Sequence, residues 1–273
     1  MAGRLGRPPL LKQPVFIIGC GRSGTTILGD TLAIHPSVTY LEEPRYIWTR
    51  VYPETDVWST RAAGRGGRID LTEANCTPER SRRLANIFYC ETVARGRPQL
   101  VEKLPTNSFR LRFLEVMFPD ALYVNLLRNG LEVARSIERM GQEGLWYGHQ
   151  EYKWKALEDF ANRNEPYRDL LGLCDTLRER GLLEWRMSVE TAAAFFENLT
   201  PDRHIRVTYA ELLDRPVETI RRIEEFVGLR PSETVHNYAT ANLKRRSPKI
   251  DVTRLSDTEE RLAGELMRRL GYL

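Results

Sequence analysis

The stretch with the clearest chemical potential is Gly19-Cys20-Gly21-Arg22-Ser23-Gly24-Thr25-Thr26. It follows an apolar run, Pro14-Val15-Phe16-Ile17-Ile18, and opens a segment of helical spacing from Thr26 to Ala33. In such a strand–loop–helix unit, backbone N–H groups and a helix N-terminus converge on one point and favour an anion there. The spacing is that of G-x-x-x-x-G-K-[ST], except that Thr25 stands in the lysine position. An NTP-dependent phosphotransferase uses that lysine together with Mg²⁺ on the β- and γ-phosphates. Here the loop's own cation is Arg22, whose planar fork suits a tetrahedral oxyanion. A second absence agrees. Ala121–Leu127 is a strand pattern, but it ends in Arg128-Asn129 and not in the carboxylate that would hold Mg²⁺. The plain alternative, a Gly-rich turn without a ligand, leaves the coincidence of strand, glycines, Arg22 and paired threonines unexplained.

These residues need elements to position them, and the pattern supplies an α/β succession. Val15–Ile18 reads as a strand buried on both faces. Val38–Leu41, Pro98–Lys103, Ala121–Leu127 and Ile205–Tyr209 read as further strands. Helical spacing is predicted for Thr26–Ala33, Pro78–Ala94, Ser108–Met117, Asn129–Ser136 and Ser188–Leu199. An apolar stripe of Ile220, Ile223, Phe226 and Val227 precedes Gly228, a suitable C-cap. Alternating strands and helices predict a P-loop-like, mostly parallel central sheet flanked by helices. Residues 49–97 and 144–190 read as helical or irregular insertions on the side of a second substrate.

The chain has 273 residues, with 41 Lys+Arg against 37 Asp+Glu. That length suits one domain spanning 1–273, with residues 1–13 as a flexible, basic lead-in lacking a secretory h-region. No apolar stretch approaches the ~18 residues of a membrane span, so a membrane protein is not expected. The four cysteines and four histidines do not cluster, so neither a metal site nor a disulfide scaffold is expected, and a cytoplasmic location fits best. A net charge of +4 is too mild to imply nucleic-acid binding. Arg61, Arg65 and Arg68 have few interleaved aromatics with which to track a strand of RNA.

Arg22-Ser23-Gly24-Thr25-Thr26 after an apolar strand, with Arg128 followed by Ser136, resembles the nucleotide-binding elements of sulfotransferases that use PAPS (3′-phosphoadenosine 5′-phosphosulfate). Within that family the stretch His35-Pro36-Ser37-Val38 to Glu42-Glu43-Pro44-Arg45 is similar to the tyrosylprotein sulfotransferases and their bacterial relatives. The resemblance covers Pro14–Arg45 and Val101–Arg139 well and leaves 49–97 and 144–190 unmatched. It implies that Gly21, Arg22, Ser23, Gly24, Thr25 and Thr26 hold the 5′-phosphosulfate, and that Arg128 and Ser136 hold the 3′-phosphate. It also implies Glu43 as the general base and Lys103 as the cation near the bridging oxygen, with Arg22 orienting the sulfuryl group and no metal. The product would be PAP, the 3′,5′-bisphosphate. The acceptor would be a hydroxyl or amine of a small molecule, glycan or peptide.

Other residues stay open between roles. Arg45 either guides an acidic acceptor or braces Glu43, and Glu42 is either solvated or part of the site. Arg139 is a phosphate contact or a solvated helix residue. Tyr209 lies near the nucleotide or in the core. Lys244 to Lys249, with Ser247, is a closing loop over the 3′-phosphate or a solvated basic run. Trp146, Tyr147 and His149 are either walls of an acceptor pocket or ordinary packing. His35 suits a structural role at a helix end. Cys20 sits beside a helix N-terminus, a setting that can lower a thiol pKa. Two other functions remain as alternatives: a P-loop nucleotide kinase-like phosphotransferase, revealed by Mg²⁺ dependence, and a non-catalytic nucleotide- or RNA-binding protein, revealed by steep salt dependence.

Overall fold

The computed structural model describes residues 11–244 and 255–273. Five strands, β1 (Val15–Ile18), β2 (Val38–Glu42), β3 (Gln99–Lys103), β4 (Leu122–Leu127) and β5 (His204–Thr208), form one parallel sheet in the order β2-β3-β1-β4-β5. All four residues of β1 are fully buried, as a central strand covered on both faces requires. Side chains alternate across the sheet, so β1 feeds two cores. Phe16 and Ile18 join an aromatic cluster with Trp48, Phe88, Phe113 and Phe118. Val15 and Ile17 face Leu28, Leu32, Ile220 and Ile223 on the other side.

Helices α1 (Thr25–Ala33), α10 (Pro216–Val227) and α11 (Glu233–Asn242) supply the second core. Helices α2 (Arg45–Val51), α3 (Pro78–Arg95) and α4 (Leu111–Met117) cover the aromatic face. A third core joins α5 (Gly130–Gln142), α6 (Tyr152–Asn162), short α7 (Glu165–Arg168) and α8 (Leu177–Phe196) to the C-terminal stretch. Helix α9 (Tyr209–Asp214) follows β5 directly. Chain order reverses direction across β1: β3 lies on one side and β4 on the other. That switch point opens a crevice at the carboxyl ends of the strands, where open parallel sheets place their ligands.

Several boundaries differ from expectation. Helix α8 starts at Leu177, well before Ser188, because Thr176 and Glu179 form a reciprocal capping box there. The helix expected from Ser108 is a 3₁₀ segment, Pro105–Phe109, followed by α4. Helix α2 occupies the start of a region expected to be irregular. Gly228 ends α10 with φ 77°, the left-handed cap that its position suggests. Among the described residues, no helix is long and apolar enough to cross a membrane.

Candidate active site

The loop between β1 and α1 is shaped by two left-handed residues, Arg22 (φ 70°) and Gly24 (φ 95°), and closed by the Ser23 N–H donating to the Cys20 carbonyl at 3.1 Å. Gly24 is doubly constrained, since a Cβ there would also lie 2.5 Å from the Tyr209 ring. Helix α1 then begins with no side-chain cap and no acidic residue in its first turn. Side-chain caps stand at the starts of α3 (Thr77), α5 (Asn129), α8 (Thr176) and α9 (Thr208), whereas α2, α4, α6, α7, α10 and α11 lack one as α1 does. The first-turn N–H groups of α1 therefore carry the helix's positive end, without a counter-charge from the first turn, into a cleft of about 1220 Å³.

One side of the cleft is cationic and built from distant segments. Arg22 Nε donates to Ser136 Oγ at 3.1 Å, and Arg128 Nη1 donates to the Arg22 carbonyl at 2.9 Å. Arg128 also pairs with Glu132 at 2.8 Å and lies 4.2 Å above the Tyr209 ring. Arg22, Ser136, Arg128 and Tyr209 thus meet at one corner. Arg135 and Arg139, interleaved with Glu132 and Glu138, continue the lining along α5, and Arg178, Tyr238, Asn242 and Lys244 also line the cleft.

The opposite side holds a carboxylate in contact with a sealed lysine. Lys103 ends β3, its side chain is fully buried, and its Nζ donates to both Thr26 Oγ1 and Glu43 Oε1 at 2.8 Å. Parallel pairing sets this up, because Glu42 is the register partner of Lys103 and Glu43 follows it. The Glu43 N–H donates to the Lys103 carbonyl, and Glu43 adopts φ 39°, a left-handed conformation in front of Pro44. Arg45 donates to the other carboxylate oxygen and stacks 3.8 Å over Trp58. Arg45 therefore braces Glu43 in this state. Glu42 is half exposed with its carboxylate 3.5 Å from Lys103, so it belongs to the cleft and not only to solvent.

Charge around Glu43 sets its acidity. Partial burial alone would raise its pKa, but Lys103 and Arg45 outweigh burial and hold it below the usual range. Asp30, one turn along α1, goes the other way, raised by burial and by the Glu42 charge. Cys20 reverses the shift its position suggests. Burial, and then the Glu184 carboxylate, push its thiol well above the ordinary value, so it is not activated.

Behind Lys103, Glu102 points to the other face of β3. It is fully buried, accepts from Trp48 Nε1 (2.8 Å) and Asn107 Nδ2 (2.9 Å), and burial lifts its pKa to about 8. The folded protein thus holds a proton that the unfolded chain loses near the usual value. The stability from Glu102 is complete at acid pH and is lost as pH rises from about 4.5 towards 8. In Glu102→Gln, Asn107 can turn its unpartnered Oδ1 towards the new amide. We expect this variant to be close to wild type at pH 5 and on the order of 1–3 kcal/mol more stable at pH 8 by urea denaturation.

Three acceptor-wall candidates are placed otherwise. Tyr147 is buried in the third core, packed edge-on to Trp154. Trp146 lies against Gly21, beneath the loop. His149 is exposed, its N–H donating to the Trp58 carbonyl, outside the cleft lining. At Trp146 the 144–190 region therefore supports the loop. Ser247 and Lys249 lie outside the described residues, although Lys244, which begins their run, reaches the cleft. Asp30, Glu138, Arg135, Arg178, Tyr238 and Asn242 were not anticipated. Arg135 alone had a signal, sharing a helical face with Arg128 and Arg139. Among the described residues, no group of three or more His, Cys, Asp or Glu side chains could hold a metal.

Comparison with known proteins identifies the family and the fold. A family model described as "Sulfotransferase family" matches residues 14–233. Nodulation protein NoeE of Sinorhizobium fredii is 31% identical over 237 residues, covering 81% of this chain and 51% of that protein. Protein-tyrosine sulfotransferase 2 of Gallus gallus is 26% identical over 224 residues, covering 81% of this chain and 52% of that protein. The chain thus spans about half the length of these two relatives. The solved structure of a sulfotransferase from Alicyclobacillus acidocaldarius superposes with a TM-score of 0.52 at 17% identity, over 96% of this chain and 94% of that one, which shows a shared fold. With a family model spanning the whole sheet, the loop and most of the cleft lining, the chain belongs to the sulfotransferase family.

Proposed function

We propose that the protein transfers the sulfuryl group of PAPS to a hydroxyl or amine acceptor and releases PAP. The observation that carries this is the joining of an uncapped helix N-terminus to Glu43 through Thr26 and Lys103. The N–H groups of α1, Thr25 and Thr26 suit the 5′-phosphosulfate, and the Arg22–Ser136–Arg128 corner suits the 3′-phosphate. Tyr209, wedged between Gly24 and Arg128, suits the edge of the nucleotide.

In the reaction the acceptor atom bonds to sulfur as the bond from sulfur to the bridging oxygen breaks. The acceptor's proton passes to Glu43, and the electron pair leaves with the 5′-phosphate of PAP. Lys103 and the loop stabilise that developing charge, the kind of preorganised contribution that dominates group transfer. As Lys103 turns towards the leaving oxygen, Glu43 loses its strongest cationic partner and becomes a better base when the proton must move.

The test is calorimetric titration with PAP, AMP and ATP in EDTA. PAP should bind at least about tenfold tighter than either, the worth of one charge-assisted phosphate contact. ATP binding in preference to PAP, restored by Mg²⁺, would replace this function with phosphotransfer. Turnover with PAPS would then be screened across hydroxyl and amine acceptors, small molecule, glycan and peptide.

A further inference from the structure

Beneath the anion loop lies a polar cluster to which neither wall of the cleft contributes. Trp146 lies against Gly21, so closely that a Cβ on Gly21 would lie 2.8 Å from Trp146 Cζ2. The indole Nε1 donates to Glu184 Oε2 at 2.9 Å, and the other Glu184 oxygen accepts from Lys153 Nζ at 2.6 Å. Lys153 also sits 3.9 Å from the centre of the Trp146 ring. Both charged side chains are almost wholly buried, at 5% and 4% exposure. The ring is therefore fixed in three ways: by a hydrogen bond at its edge, by a cation over its face, and by the backbone of Gly21 against it.

We infer that Trp146, held by the Lys153–Glu184 pair, is a positioning residue that sets the height of the Gly21–Thr25 turn and so preorganises it for the donor's phosphosulfate. A buried ion pair contributes little net stability, but breaking it leaves an uncompensated charge, so it resists rearrangement. A rigid support suits a loop whose backbone N–H groups must already point at the anion before it arrives. The support comes from α6, α8 and the segment before them, so part of the 144–190 region serves the donor. The inference rests on the loop being the donor's anion site.

The test is a size-exchange cycle read by PAP affinity. Gly21→Ala should weaken PAP binding at least tenfold, because its methyl group meets the indole. Trp146→Leu should weaken it several-fold by loosening the support. In the double variant the smaller Leu makes room for the methyl group, so PAP should bind no worse than to Trp146→Leu alone, a strong departure from additivity. Additive losses would overturn the inference, as would wild-type affinity in Gly21→Ala. Should Gly21→Ala not fold, Trp146→Phe keeps a smaller ring while removing both the Nε1–H that bonds Glu184 and the far edge of the indole that meets Gly21. It should raise the Kd for PAP about threefold or more with the melting temperature little changed, and an unchanged Kd would overturn the inference. If the wild type itself does not bind PAP, the proposed function fails first, which separates the two failures.

Discussion

Glu43→Gln is expected to lower kcat by about 10²–10⁴-fold, the usual contribution of a positioned general base. The amide keeps the shape of the side chain and can still accept from Lys103, so PAP affinity should stay within about twofold of wild type. Turnover retained at the wild-type level would remove Glu43 from the chemistry. The pH profile gives a second reading of the same group. Because Lys103 and Arg45 hold Glu43 below the ordinary glutamate range, the acid limb of kcat/KM should lie below about pH 4.5. The stability that Glu43 contributes has the same sign, present above the unfolded value and lost as pH falls through the lowered one. Arg45→Met removes one of the two cations and should move the acid limb upward, with PAP affinity unaltered.

Arg128→Ala is expected to weaken PAP binding by about 10–100-fold, the loss of a charge-assisted contact in a part-buried site. AMP lacks the 3′-phosphate, so its affinity should fall much less, and the ratio of the two affinities is the decisive quantity. Some loss with AMP is expected, since Arg128 also bonds the Arg22 carbonyl and stacks on Tyr209. Arg128→Lys should recover only part of the PAP binding, because an ammonium cannot reproduce the fork that reaches both groups. An unchanged ratio in Arg128→Ala would take the 3′-phosphate away from this corner.

What could be read from the sequence was mostly local. The loop from Gly19 to Thr26 carries strand, turn and helix signals within a few residues, so its shape and its anion chemistry could be inferred together. All five strands were legible from their apolar runs. The Glu43–Lys103 contact, by contrast, depends on the register that sets Glu42 beside Lys103 across β2 and β3. No local pattern encodes such a register. Resemblance to a family suggested both residues, but not that they touch or that Lys103 is sealed. Arg22 and Ser136 lie 114 positions apart and meet only because β4 returns beside β1.

The readings left open or missed had physical causes too. Trp146, Tyr147 and His149 were grouped because aromatics often line pockets, but neighbours in sequence here point to a loop, a core and solvent. Cys20 was judged by its nearness to a helix N-terminus, and burial beside Glu184 outweighed that. The early start of α8 was available in Thr176-x-x-Glu179, a local signal that lay in a segment read as an insertion.

The strand order has a consequence for how the chain is made. β1 emerges first from the ribosome, yet its neighbours are β3 and β4, and Val15 must wait for Val101 and Leu122. At ~5–20 residues per second, the most apolar strand of the sheet spends on the order of 5–20 s in a nascent chain without its ladder partners. Helices α1, α2 and α3, which pack on its two faces and are made before β3, are what can shelter it during that interval. The central position that buries the root of the β1–α1 loop therefore makes the first-made strand of the sheet wait for partners made much later, so translation speed and chaperone access bear directly on the yield of folded protein.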